Sequence, residues 1–322
     1  MTNQNRQELA KRKIHRNGQQ SAQGMVHLQE RDVQLLSDIY SHAVMLRGQI
    51  QTLYFQSVQR ANARLLKLTQ AGYAARVMLP LPTHIGSLAC CQSAYTLGSA
   101  GIPVVAAHLG MDTAEIRRQH RHNSSFFMIH SLEIVQFRLA IEQATHTDST
   151  VRLDRFLPER LCQHRYEYRI RSEGRATNEA IWRTEIYKPD AVMVLAYQTS
   201  AAGFAIEIDL GHSSAEEILT KLAIHTRYAA SGLFMQRYGV RKERTLLITT
   251  TAKRRDNLKA LLEHEGSNRF WLSTFAEVAV GGVLGAIWHA PFEPTLQYLF
   301  PMYSGDCNAE YATHPSRKGD LR

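Results

Sequence analysis

The chain has 322 residues, 44% of them hydrophobic, and a formal net charge of +9. That length suits two domains with real cores, and no apolar run approaches the ~18 residues of a membrane-spanning helix. The four cysteines, Cys90, Cys91, Cys162 and Cys307, form no CxxC pair, which argues against zinc ribbons and thioredoxin-type redox sites and fits reduced thiols in a cytosol.

The positive charge is placed unevenly. Residues 1–125 carry 14 Lys and Arg against 6 Asp and Glu, a net of +8; the remainder carries 24 against 23, a net of +1. A basic module joined to a neutral one is the footprint of nucleic-acid binding. Residues 1–24 are polar and basic, without the apolar segment of a secretion signal. They are expected to form a flexible arm, either a solvated tail or a phosphate-contacting one. The expected location is the cytoplasm, on nucleoid or plasmid DNA.

Residues 25–112 read as a winged helix-turn-helix. Three helical patterns follow closely: "LQERDVQLLSDIY", "LRGQIQTLYF" and "SVQRANARLLKLTQAG". In the third, Ser57 suits the N-cap and Gly72 the left-handed C-terminal position. Val58, Ala61, Leu65 and Leu68 space out its buried stripe. "YAARVML" and "QSAYTL" then read as a two-stranded ribbon, followed by a small helix. In such a module the third helix enters the major groove and the ribbon touches the backbone. Gln59, Arg60 and Asn62 are able to read base edges; Arg64, Lys67 and Arg76 are able to hold phosphates. The alternative is a winged helix used for protein contacts. Residues 113–125 are charged and His-rich, and read as a solvated linker whose Arg117 and Arg118 could face DNA; His120 and His122 are not expected to bind metal.

Residues 126–300 change character to an α/β pattern (α+β for the chain as a whole) with a mixed sheet flanked by helices. A long amphipathic helix at "FFMIHSLEIVQFRLAIEQA" leads into four strands, 165–171, 180–187, 190–197 and 203–210, expected as a meander. Helix, strand, helix and strand follow, and 303–322 read as a polar tail. In "GFAIEIDLG", residues 203–211, alternation puts Glu207 and Asp209 on one strand face and the isoleucines on the other. An unpaired buried carboxylate costs several kcal/mol, so a cation is expected there or the face opens on solvent.

Asp190 opens the preceding strand after Pro189, so antiparallel pairing brings it near Glu207. A Pro-Asp at a strand start followed by Glu on the next strand outlines a PD-(D/E)xK nuclease motif. In that chemistry Asp190, Glu207 and Asp209 would hold Mg²⁺ through oxygen, and the ion would activate water and neutralise charge on phosphate. Glu133, on the long helix, is the candidate extra acid. The position two after Glu207 is Asp209 where the motif has lysine, and Lys221 on the next helix is the substitute. The other reading pairs these carboxylates with Arg and Lys.

The order of "LQERDVQLLSDIYSHAVMLRGQIQTLYF", "ANARLLKLTQAGYAARV", "AYTLGSAG", "HSLEIVQFRLAI", "WRTEIYKPDAVMVL", "FAIEIDLG" and "KLAIHTRYAASG" resembles the replication-relaxation family of plasmids and other mobile elements. The resemblance implies a winged helix, a restriction-endonuclease-like domain and a role in plasmid replication, relaxation or transfer. Double-stranded DNA, replication or relaxosome proteins and a second copy of the chain are the expected partners. Mg²⁺-dependent cleavage and a transcriptional regulator with a sensing or dimerising second domain are the alternatives.

Overall fold

In the computed structural model, which describes residues 26–79, 92–120, 124–171, 180–198 and 200–300, the chain divides into two units, Met1–Ser125 and Phe126–Arg322. Residues 80–91 and the expected basic arm (1–24) and polar tail (303–322) lie outside the described residues.

The first unit begins with α1 (Glu30–Ser41), α2 (Arg47–Tyr54) and α3 (Val58–Gln70). On α1, Leu35, Leu36, Ile39 and Tyr40 are buried in successive turns. α3 starts where the Ser57 hydroxyl accepts the Arg60 amide proton, at 3.3 Å. It buries Ala61, Leu65 and Leu68 completely, but Val58 is 41% exposed, because the first turn of the helix has left the core. Gly72, at φ +75°, ends it, as the sequence spacing predicts.

Strands β2 (Ala74–Leu79) and β3 (Gln92–Leu97) pair antiparallel, and a two-residue strand β1 (Met45–Leu46) adds to the far side of β3. The ribbon is therefore three-stranded. α4 (Gly101–Leu109) and α5 (Thr113–His120) follow. Residues 113–120, read above as linker, are thus helical. Asp112 Oδ1 accepts the Ala114 amide proton at 2.6 Å, starting the helix. Ile116 is buried, and Tyr40 Oη donates to Gln119 Oε1 at 2.7 Å.

The second unit is built on a five-stranded sheet in the order β10-β9-β8-β7-β4: β4 (Val151–Pro158), β7 (Ala191–Tyr197), β8 (Ser200–Asp209), β9 (Lys242–Thr249) and β10 (Phe270–Thr274). β4, β7 and β8 run antiparallel to their neighbours in that series, whereas β8, β9 and β10 are parallel. Helix α6 (Ser125–Thr147) lays Ile134, Phe137 and Ile141 against Met193, Phe204, Ile206 and Ile208 on one face. On the other, α8 (Ala215–Ala230) and α10 (Ala252–His264) pack Ile218, Leu222, Leu258 and Leu262 over Leu247, Phe270 and Leu272. Short helices α7 (Glu159–Cys162), α9 (Leu233–Tyr238) and α11 (Phe275–Gly281) complete the unit.

The chain is mixed α and β, with a mixed sheet, as the sequence implies. The expected four-strand meander is not formed. β5 (His164–Arg171) and β6 (Ala180–Tyr187) pair only with each other. β4 takes the place beside β7; its polar Arg152, Asp154 and Arg155 and its terminal Pro158 suit a sheet edge and mask it as a strand. No helix among the described residues is long and apolar enough to cross a membrane.

Candidate functional site

β8 lies between β7 and β9, so both its edges are paired. Asp190, Glu207 and Asp209 are 5%, 2% and 4% exposed. Glu207 points toward α8: its Oε2 accepts from Lys221 Nζ at 2.6 Å, and its Oε1 lies 2.8 Å from His225 Nε2. Lys221 and His225 are one helical turn apart, so α8 presents both to one carboxylate. The helix is fixed at its start by Ser214, whose Oγ accepts the Glu217 amide proton at 3.2 Å while Glu217 reaches back to the Ser214 amide at 2.7 Å. Behind His225, its Nδ1 lies 3.3 Å from Thr245 Oγ1 and 3.4 Å from Tyr187 Oη.

Asp209 is held separately. Its Oδ2 accepts from Thr249 Oγ1 at 2.8 Å and from Arg254 Nε at 2.9 Å. Thr249 comes from the adjacent strand and Arg254 from the first turn of α10. Asp190 extends the β7–β8 ladder. Its amide donates to the Ile206 carbonyl at 3.1 Å, and its Oδ2 accepts the Ile208 amide proton at 2.7 Å and lies 3.2 Å from His130 Nε2 on α6.

These pairings set the proton affinities. Burial raises the Glu207 carboxyl, but the Lys221 charge and the His225 hydrogen bond outweigh it and hold the group well below its usual range. Burial likewise raises Asp209, and the Arg254 and Thr249 hydrogen bonds bring it down. Lys221 is raised, by Glu207 first, against burial, with Asp190 and Asp209 adding to the effect. Burial lowers His130, yet the Asp190 charge and hydrogen bond and the Ile208 carbonyl carry it up to about 9. Glu133, three residues along α6, is buried, and that burial lifts it to about 7 against the pull of His130.

Sequence alternation thus found the shared face of Glu207 and Asp209, and the displaced Lys221 does reach Glu207. What it did not find are the other cations. His225 carries a signal in its i,i+4 spacing from Lys221; His130 and Arg254 come from distant elements and carry none. Glu207 and Asp209 turn to different basic partners, and Asp190 turns to the strand backbone and α6. Among the described residues no group of three or more His, Cys, Asp or Glu side chains is arranged to hold a metal ion. As they stand, Glu207 is paired with Lys221 and His225, Asp209 with Arg254, and Asp190 with His130.

In the first unit, Gln59, Arg60, Asn62 and Lys67 are exposed along α3, opposite its buried stripe. Arg64 departs from that set. Its Nε donates to Asp32 Oδ1 at 2.9 Å and its Nη2 to the His27 carbonyl at 2.8 Å, clamping α3 to the start of α1 over a fully buried Asp32. Arg76, exposed on β2, donates to Ser93 Oγ across the ribbon at 2.6 Å. Arg117 and Arg118 are exposed on α5.

Residues 36–243, nearly two thirds of the chain, match the replication-relaxation family. The chain belongs to that family. The match runs from α1 to the start of β9 and so takes in both units, including α3, Asp190, Glu207, Asp209 and Lys221. No curated protein and no solved structure matches this replication-relaxation chain.

Proposed function

We propose that this replication-relaxation protein binds double-stranded DNA of a plasmid or other mobile element in a sequence-directed way, and acts in its replication, relaxation or transfer. Its first unit serves as a winged helix with α3 as the reading helix, and its second as a restriction-endonuclease-like scaffold. Replication or relaxosome proteins and a second copy of the chain are its partners, in the cytoplasm. The observation that carries the reading is the division of α3: three residues fully buried, and on the opposite face Gln59, Arg60, Asn62 and Lys67 in solvent. A helix held rigidly by one face and carrying amide and basic side chains on the other has what major-groove readout requires. Arg117 and Arg118 on α5, and Arg76 on β2, supply further positive charge. Replacing Arg60 and Lys67 together by Glu should weaken binding to duplex DNA carrying the element's origin by roughly 5- to 150-fold, on the order of 1–3 kcal/mol. Gel-shift titration at fixed salt measures it; wild-type affinity in the double variant overturns the reading.

A second reading, Mg²⁺-dependent DNA cleavage at Asp190, Glu207 and Asp209, is favoured by one contact, the Lys221 amine 2.6 Å from Glu207. It puts a lysine against the motif's central acid from a helix instead of from the strand. An ion would have to displace that amine or Arg254. Calorimetry with Mg²⁺ and a plasmid-nicking assay decide it. Metal binding together with nicking that Lys221→Ala abolishes would support cleavage. No heat at millimolar Mg²⁺ and no nicking would leave the acidic cluster a structural one.

A further inference from the structure

The β5–β6 hairpin stands outside the five-stranded sheet, and its two faces differ in kind. On one, His164 lies opposite Tyr187 and Tyr166 opposite Glu185. That face is packed: Tyr187 stacks on Tyr228 of α8 with ring centres 3.6 Å apart and planes 10° from parallel, and Arg227 Nε donates to Glu185 at 3.1 Å. On the other face the register sets Arg165 opposite Ile186, Glu167 opposite Thr184 and Arg169 opposite Trp182. All six are exposed, Trp182 by 65% and Ile186 by 50%.

Folding gives no reason for that arrangement. The hairpin is already anchored by its tyrosine face, and an indole left largely in water forgoes most of the stabilisation its burial would bring. A large exposed aromatic directly across from an arginine, with a second arginine further along the same face, matches what an unpaired nucleic-acid strand needs. The indole offers a flat π surface on which any base can stack, and the guanidinium groups follow the phosphates. A duplex keeps its bases stacked on one another and leaves the indole nothing to cover. The charge is complementary to a polyanion, with two arginines against the single Glu167 on this face.

We propose that the Arg165–Arg169–Trp182 face of the β5–β6 hairpin is a binding surface for single-stranded DNA, with a base stacked on Trp182 and the backbone held by Arg165 and Arg169. It is separate from duplex binding by α3; only the choice of DNA over RNA rests on the family reading above.

The test uses the full chain and fluorescein-labelled dT20, read by anisotropy and by tryptophan emission. Trp271 is only partly exposed and Trp288 fully buried, so quenching on binding reports chiefly on Trp182. Trp182→Ala should weaken dT20 binding roughly 5- to 150-fold, the loss of one base stack, and Trp182→Phe should retain most of it. Arg165→Ala with Arg169→Ala should weaken it and flatten its salt dependence. The Arg60→Glu, Lys67→Glu variant should lose duplex affinity by a larger factor than dT20 affinity, whereas Trp182→Ala should do the reverse, which separates failure here from failure of the α3 reading. Melting curves check that each variant is folded; if Trp182→Ala is not, the arginine pair decides. Wild-type dT20 affinity in that pair, equal losses for dT20 and a 20-base-pair duplex in Trp182→Ala, or tighter binding of rU20 than of dT20 would each overturn the proposal.

Discussion

Glu133 and His130 sit on one turn of α6, at the edge of the acidic cluster, and give the second unit a definite pH response. Burial holds the Glu133 carboxyl at about 7, above its ordinary 4.5. The folded state therefore binds this proton more tightly than the unfolded chain does. The stability it contributes is complete below pH 4.5 and is lost as the pH rises through 7. Glu133→Gln removes the titration without changing the shape of the side chain. Its stability should match wild type at about pH 4 and exceed it at about pH 8, by a margin on the order of 3 kcal/mol that thermal melting would record. Equal effects at both pH values would mean that Glu133 is ionised throughout. Glu207 and Asp209 act in the opposite sense, since their partners lower them, and stability drawn from them fades only in acid. The sequence carried half of this. Alternation along 203–210 put two acids on a buried face, and burial demanded cations. Which cations answered depended on α6, α8 and α10 closing over the strand, and nothing local to His130 or Arg254 marks that.

Between elements, one close approach in the first unit lies where the turn after α3 meets the end of β3. A Cβ built on Gly98 would come within 2.1 Å of the Gly72 carbonyl oxygen, and the Gly98 amide already donates to the Tyr73 carbonyl at 2.8 Å. The approach leaves no room for a side chain between the turn and the ribbon. Gly98→Ala should cost about 1–3 kcal/mol, or more if the backbone cannot yield, and should lower duplex affinity along with stability, as chemical denaturation and gel shift would record. A variant as stable as wild type would show the packing there to be slack. Elements of this size were unevenly legible. α3 was readable to its caps because Ser57, Gly72 and a 3.6-residue stripe all agree. β1, two residues long, has no period to detect. α5 hid behind the charge of "AEIRRQH", where one buried residue, Ile116, does the packing. β5 and β6 were readable as strands but not as a separate hairpin, because strand period says nothing about which neighbour is chosen.

Across the whole chain the governing quantity is where the charge lies. A net of +8 within residues 1–125 should make affinity for duplex DNA fall steeply with salt as counterions are released. Deleting residues 2–20 removes Lys11, Arg12, Lys13 and Arg16 among others. That should flatten the slope of log affinity against log salt by about 0.9 for each phosphate the arm neutralises, while leaving the protected footprint on a specific site in place. Titrations at several salt concentrations, with footprinting alongside, measure both. An unchanged slope would assign the arm no part in binding. The mixed α and β character was legible too, from helix and strand periods that alternate beyond residue 125.

Asp190 has a consequence for how such chains change over generations. Its carboxylate does the work of a missing residue in the ladder, taking the Ile208 amide proton at the point where β7 begins. Alanine there would leave that buried amide bare, whereas asparagine would still accept through its carbonyl oxygen. Selection for folding alone would therefore hold an oxygen-bearing side chain at this position, whether or not any phosphodiester is ever cut. An acid at this position is therefore no mark of catalysis by itself, and the discriminating observation among relatives would be drift from Asp to Asn at 190 with the fold intact.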